Sequence, residues 1–100
     1  MSVTLHRNGT PCAIDLAGEV DIRSAEELKQ ALVNALALGR GLCVDLTAAI
    51  GIDVTALQLL WAAEREARTN AQEFILKGLG SATIASSVTH SGLMFRVGAA

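Results

Sequence analysis

The sequence predicts an α/β domain: a mixed β-sheet of about four to five strands carrying one layer of helices. Three observations predict it. Alternating or continuous apolar runs are interleaved with amphipathic segments in the order β-β-α-β-α-β-α, which implies a sheet that is parallel in part beneath packed helices. One hundred residues suffice for one domain, 1–100, with one modest core. Half the residues are apolar but only 3% are aromatic, so that core must be built from Leu, Val, Ile and Ala.

The first two strands read as a hairpin. Val3, Leu5 and Arg7 alternate with Thr4 and His6, Asn8-Gly9 is a tight-turn pair, and alternation resumes in a strand from Pro11 to Leu16. Ser24 and Glu27 have the spacing of a capping box, and Leu28, Ala31, Leu32, Ala35 and Leu36 then form one face of a first helix. Gly39 and Gly41 end it, and Leu42 to Thr47 is the apolar run of a central strand.

Asp53 is placed to cap a second helix reaching about Arg68, by accepting the amide of Thr55 or Ala56. On a helical wheel Ala56, Leu59, Leu60, Ala63 and Ala67 form the buried stripe, while Val54, Leu57, Gln58, Trp61 and Arg65 share another side. A strand over Glu73–Lys77 follows, then a third helix capped by Ser81 and ending near Ser91-Gly92. The apolar tail from Leu93 to Val97 is expected to pack, and Gly98 to Ala100 to fray.

The charge balance, −2 with no clustered basic residues, argues against nucleic acid as a partner. No window reaches the ~18 apolar residues of a membrane span, and Met1 to Arg7 lacks a signal peptide's apolar run, so the protein is expected in the cytoplasm. Cys12 and Cys43 both lie in strand segments and are expected as buried, reduced thiols.

The inventory for catalysis is poor. His6 and His90 have no neighbouring nucleophile and no metal-ligand spacing, and phosphate-cradling glycine motifs are missing, so no cofactor and no metal are implied. Asp45 and Lys77 end strands as the aspartate and lysine of a phosphoacceptor receiver would, but the acidic pair that would hold Mg²⁺ is missing.

The segment that stands out is Asp45-Leu46-Thr47 followed by Ile52-Asp53-Val54-Thr55-Ala56-Leu57. It resembles the STAS family, named for sulphate transporters and anti-sigma factor antagonists, in which a strand ending in Asp-Leu-Ser leads to Asp-Ser-Ser-Gly or Asp-x-Thr-Gly. Gly18-Glu19-Val20-Asp21 is similar to the family's Gly-Glu-Leu-Asp, and the element order agrees from about Val3 to Leu93. The resemblance implies that Thr55 is a phosphorylation site and that Asp53 is the acidic residue positioning it. Val54 and Ala56 depart from the pattern: the first lacks a hydroxyl, and the second adds a methyl group where a kinase would approach.

The resemblance further implies a bacterial signalling protein without chemistry of its own, an anti-sigma factor antagonist that binds an anti-sigma factor or serine/threonine kinase in a phosphorylation-controlled partner switch. Within the family, two other partners stay open: the ATPase of a lipid-transporting ABC system, and chemotaxis components. A small enzyme with an unrecognised site is the remote alternative. The expected docking face is Val54, Leu57, Gln58, Trp61 and Arg65, because an exposed Trp beside an Arg is typical of interface hot spots.

Overall fold

The computed structural model describes residues 2–93 and residue 95. Strand β1 (Ser2–His6) pairs antiparallel with β2 (Cys12–Val20), which lies parallel to β3 (Leu42–Ile52), which lies parallel to β4 (Phe74–Lys77). The sheet order is β1-β2-β3-β4. Helices α1 (Ala25–Ala37), α2 (Val54–Thr69) and α3 (Ala82–His90) follow β2, β3 and β4, so the mixed sheet and element order are those expected from the alternation of patterns.

The sheet is covered on one face. Cys12, Ile14 and Leu16 of β2, Leu42, Val44 and Leu46 of β3, and Phe74 and Leu76 of β4 are buried, while the residues between them are open or half-open. This period of two follows from the pleat, which sends successive side chains to opposite faces. Leu28, Ala31, Leu32 and Ala35 of α1, together with Ile84 and Val88 of α3, complete the same core. Cys43 points to the uncovered face and is half-buried, which corrects the expectation of two buried thiols; Cys12 is fully buried. Burial pushes both thiols above their ordinary pKa.

Two strands run further than their alternation suggested. Strand β2 reaches Val20 instead of Leu16, and β3 reaches Ile52 instead of Thr47. Nine residues of β2 lie against eleven of β3. The surplus is taken up where the register shifts, between the pairs Asp15↔Asp45 and Ala17↔Ala48, and between Gly18↔Ala49 and Glu19↔Gly51. Such bulges break the period of two and bend the strand, which hides it from a reading of alternation.

Ser24 does not cap α1. A 3-10 turn over Ile22–Ser24 precedes the helix, Ser24 makes no side-chain capping bond, and Asp21 caps the turn by accepting the Arg23 amide at 3.0 Å. Ser81 does cap α3. Of the tail, Leu93 and Phe95 pack against the core; the expected fraying of Gly98 to Ala100, and packing as far as Val97, lie outside the described residues.

Helix α2 is rolled relative to the expected wheel. Its buried residues are Ala56, Leu57, Leu60, Ala63, Glu64 and Ala67, and Leu59 is only half-buried. At 100° per residue the centre of the buried face moves by roughly 40° towards Leu57. Leu57 and Leu59 flank the same apolar arc, so identity on a wheel cannot choose between them; the packing surface beneath does. Leu57, 1% exposed, therefore belongs to the core and drops out of the expected docking face.

Candidate functional site

The carboxyl ends of the parallel strands β2 and β3 meet the start of α2, and Asp53 joins them. Its backbone is extended and its N–H donates to the Val20 carbonyl at 3.0 Å, continuing the β2–β3 pairing. One carboxylate oxygen accepts the Ala56 amide at 2.9 Å, which is the N-cap bond expected of it. The other accepts the Ile22 amide at 3.0 Å and so holds the turn after β2 against the start of α2.

This clamp gathers exposed apolar side chains. Ile22 and Ile50 are each 65% exposed and Val54 is 56% exposed, and all three lie on or beside the segments that Asp53 joins. Glu19 is exposed opposite Gly51, where a Cβ would run into its carboxylate. Asp21, paired with Arg23 at 2.7 Å, adjoins Ile22; the guanidinium beside it holds its carboxyl below the ordinary range. These exposed apolar side chains and the Glu19 carboxylate thus lie towards the carboxyl ends of β2 and β3, where the Asp21 charge is offset by Arg23. Sequence reasoning missed Ile22 and Ile50, because a lone isoleucine between Asp21 and Arg23, or after a bulge, carries no periodic signal.

Thr55 sits in the first turn of α2, half-buried, and its hydroxyl makes no hydrogen bond among the described residues. A group added there would lie at the positive end of the helix dipole and close to the Asp53 carboxylate. Ala56 is fully buried, so its methyl group faces the core and does not stand over Thr55, contrary to the obstruction expected from the sequence.

The outer side of α2 carries Val54, Gln58, Trp61 and Arg65. Gln58 and Arg65 are exposed and Trp61 is half-buried, with the Arg65 guanidinium 4.8 Å from its ring centre. This stacking is a cation–π contact. Arg68, by contrast, is paired with the buried Glu64.

Asp45 and Lys77 lie on the uncovered face of the sheet, 3.8 Å apart. Asp45 accepts the Thr47 hydroxyl at 2.6 Å and the Thr47 amide at 2.9 Å. Partial burial pushes its carboxyl up, but these bonds and Lys77 outweigh that and leave it below the ordinary value. Gly78 allows the close approach, since a Cβ there would strike Thr47 and Asp45. Among the described residues no three His, Cys, Asp or Glu side chains converge as a metal site would require, and no helix is long and apolar enough to cross a membrane.

Comparison with known proteins gives two kinds of match. A family profile described as "Mlab, STAS domain" covers residues 3–93. Among solved structures, the anti-sigma factor antagonist SpoIIAA in its unphosphorylated form superposes with a TM-score of 0.77 at 19% identity, over 99% of this chain and 89% of that one. The Bacillus cell fate determinant SpoIIAA in its phosphorylated form gives 0.72 at 22% identity, over 92% and 85%. RsbS of Moorella thermoacetica, in a variant with a serine replaced by glutamate, gives 0.78 at 20% identity, over 100% and 88%. At these identities the structures show a common fold. No curated protein matches the sequence.

Proposed function

Because the chain belongs to the STAS domain family, we propose that it is an anti-sigma factor antagonist-like signalling protein that acts by binding another protein in the cytoplasm and performs no chemistry itself. The observation that carries the reading is the clamp at Asp53, which holds exposed Ile22 and Val54 near Thr55, whose hydroxyl makes no hydrogen bond among the described residues. Large apolar side chains held in fixed positions at the surface are what a protein interface needs.

In this reading an anti-sigma factor or serine/threonine kinase docks on Ile22, Val54, Gln58, Trp61 and Arg65, and phosphorylation of Thr55 ends the association. The phosphate gains ~0.3–1 kcal/mol from the helix dipole. It also sets a second negative charge beside Asp53 and hydrates the centre of an apolar contact, which repels the docked partner.

A second reading keeps the surface and changes the partner to the ATPase of a lipid-transporting ABC system. Val54 favours it: an apolar residue where the family pattern commonly has a hydroxyl suits a standing contact better than a switched one. Affinity purification from the source cells separates the two. The bait is run as wild type and as Val54→Arg, and proteins lost from the variant are identified. An anti-sigma factor or kinase supports the first reading and an ATPase the second; a set of captured proteins unchanged by Val54→Arg overturns both.

A further inference from the structure

The two bonds that the Asp53 carboxylate accepts are not equally secure. Its bond to the Ala56 amide, 2.9 Å, is partly buried in the first turn of α2, whereas its bond to the Ile22 amide, 3.0 Å, is open to solvent. Water competes for the second and little for the first, so a force on the carboxylate breaks the link to Ile22 before it breaks the helix cap. No lysine or arginine pairs with Asp53 among the described residues, and backbone amides alone hold its charge. Arg23, next to Ile22, is engaged by Asp21 through Nε and a terminal nitrogen, so it does not neutralise Asp53.

The turn over Ile22–Ser24 is held together from within. The Arg23 amide donates to the Asp21 carboxylate at 3.0 Å and the Ser24 amide to the Asp21 carbonyl at 3.1 Å. The Ile22 amide is the donor that ties this turn to α2, and its acceptor lies two residues before Thr55. We propose that a phosphate on Thr55 acts through Asp53: it repels the carboxylate and breaks the bond to Ile22, so the turn after β2 comes loose from the start of α2 and Ile22 is no longer held beside Val54.

This coupling rests on the phosphorylation of Thr55 proposed above. Transfer of the γ-phosphoryl group of ATP forms an O–P bond at the Thr55 oxygen, the hydroxyl proton passes to the kinase's base, and ADP leaves. The product carries about two negative charges in the first turn of α2, at a half-buried position where solvent screens them poorly. A helix start accepts such an anion, because its free amides can donate to the phosphate in place of Asp53. The cap of α2 therefore survives, while Ile22, on another segment, loses its acceptor. Phosphorylation then removes an anchor from the docking surface as well as adding charge to it.

Amide NMR of the isolated chain, unphosphorylated and with phosphothreonine placed at position 55 during translation, reads the coupling without a partner. On phosphorylation the Ile22 amide should exchange with solvent roughly tenfold faster, as expected for the loss of one charge-assisted bond. The amides of Arg23 and Asp53, which donate to Asp21 and Val20, should keep their protection. In Asp53→Asn the Ile22 amide should exchange fast from the start, and the phosphate should add nothing. An Ile22 amide equally protected in both forms overturns the coupling. So does an equal loss of protection at Arg23 and Asp53, or a phosphate effect that persists in Asp53→Asn. A phosphate that breaks the partner complex while Ile22 stays protected would sink the coupling alone and leave the partner switch standing. One that frees Ile22 but leaves partner binding intact would sink the switch and leave the coupling in place.

Discussion

Ile22 donates its backbone N–H to the Asp53 carboxylate at 3.0 Å, across 31 residues of sequence. The bond joins the turn after β2 to the cap of α2, so one side chain both starts a helix and sets the position of an exposed isoleucine on a neighbouring segment. The two duties can be separated by substitution.

Asp53→Asn keeps an oxygen for the Ala56 amide, and Asn caps helices about as well as Asp, but it places an NH₂ group against the Ile22 N–H. Stability is expected to fall by less than ~1 kcal/mol while partner binding drops. Asp53→Ala loses both bonds and should cost ~1–2 kcal/mol in urea denaturation. If Asp53→Asn binds as wild type does, the position of Ile22 does not matter to docking.

Leu57 and Trp61 are expected to behave oppositely. Leu57 is fully buried, so Leu57→Ala should destabilise by ~2–5 kcal/mol. Trp61 is half-buried and stacked under Arg65, so Trp61→Ala should cost less, about 1–2 kcal/mol, while weakening partner binding by ~2 kcal/mol or more. Thermal unfolding and binding measured on both variants decide it; a larger loss of stability in Trp61→Ala than in Leu57→Ala would place the indole in the core.

These cases also show how far the sequence could be read. The Asp53 cap was legible because it acts over three residues, and local chemistry decides it. Its second bond was not, because nothing in Asp21-Ile22-Arg23 announces a partner beyond the next helix. The face of α2 was half legible: periodicity found the stripe of Val54, Gln58, Trp61 and Arg65, but only packing could place Leu57 inside and leave Leu59 partly out. Ser24 failed as a cap because the chain makes a 3-10 turn first, capped by Asp21 and joined to Asp53 through the Ile22 amide.

Asp45 gives a pH-dependent prediction. Its folded pKa lies below the ordinary 3.8, so its contribution to stability is fully present above that value and is lost as pH falls through the folded pKa. Thr47→Val removes the hydroxyl that donates to Asp45 and should raise its midpoint in an NMR titration. The variant should be less stable than wild type at neutral pH, and the two should converge once Asp45 is protonated. An Asp45 midpoint at or above 3.8 in wild type would refute the assignment.

Phosphorylation, if the partner switch operates, should fall on Thr55. Two other hydroxyl groups near the strand ends are engaged: Thr47 donates to Asp45, and Ser81 accepts the Ile84 amide at the start of α3; Ser24, like Thr55, makes no side-chain bond among the described residues and is set apart by lying outside the family pattern. Thr55 makes no such bond among the described residues, and the buried methyl of Ala56 leaves its approach open. Incubating the protein with ATP and an extract of the source cells, then mapping the labelled peptide, should place phosphate on Thr55 and leave a Thr55→Val variant unlabelled. That variant keeps the apolar patch and the Asp53 clamp, so it should bind the partner as wild type does. Thr55→Glu adds one charge beside Asp53 and should weaken binding in the direction of the phosphate, though by less, because a carboxylate carries about half a phosphate's charge at neutral pH. Label on Ser24, Thr47 or Ser81 would remove Thr55 from the switch. Binding that Thr55→Val abolishes would make the hydroxyl itself a contact instead of a site of modification.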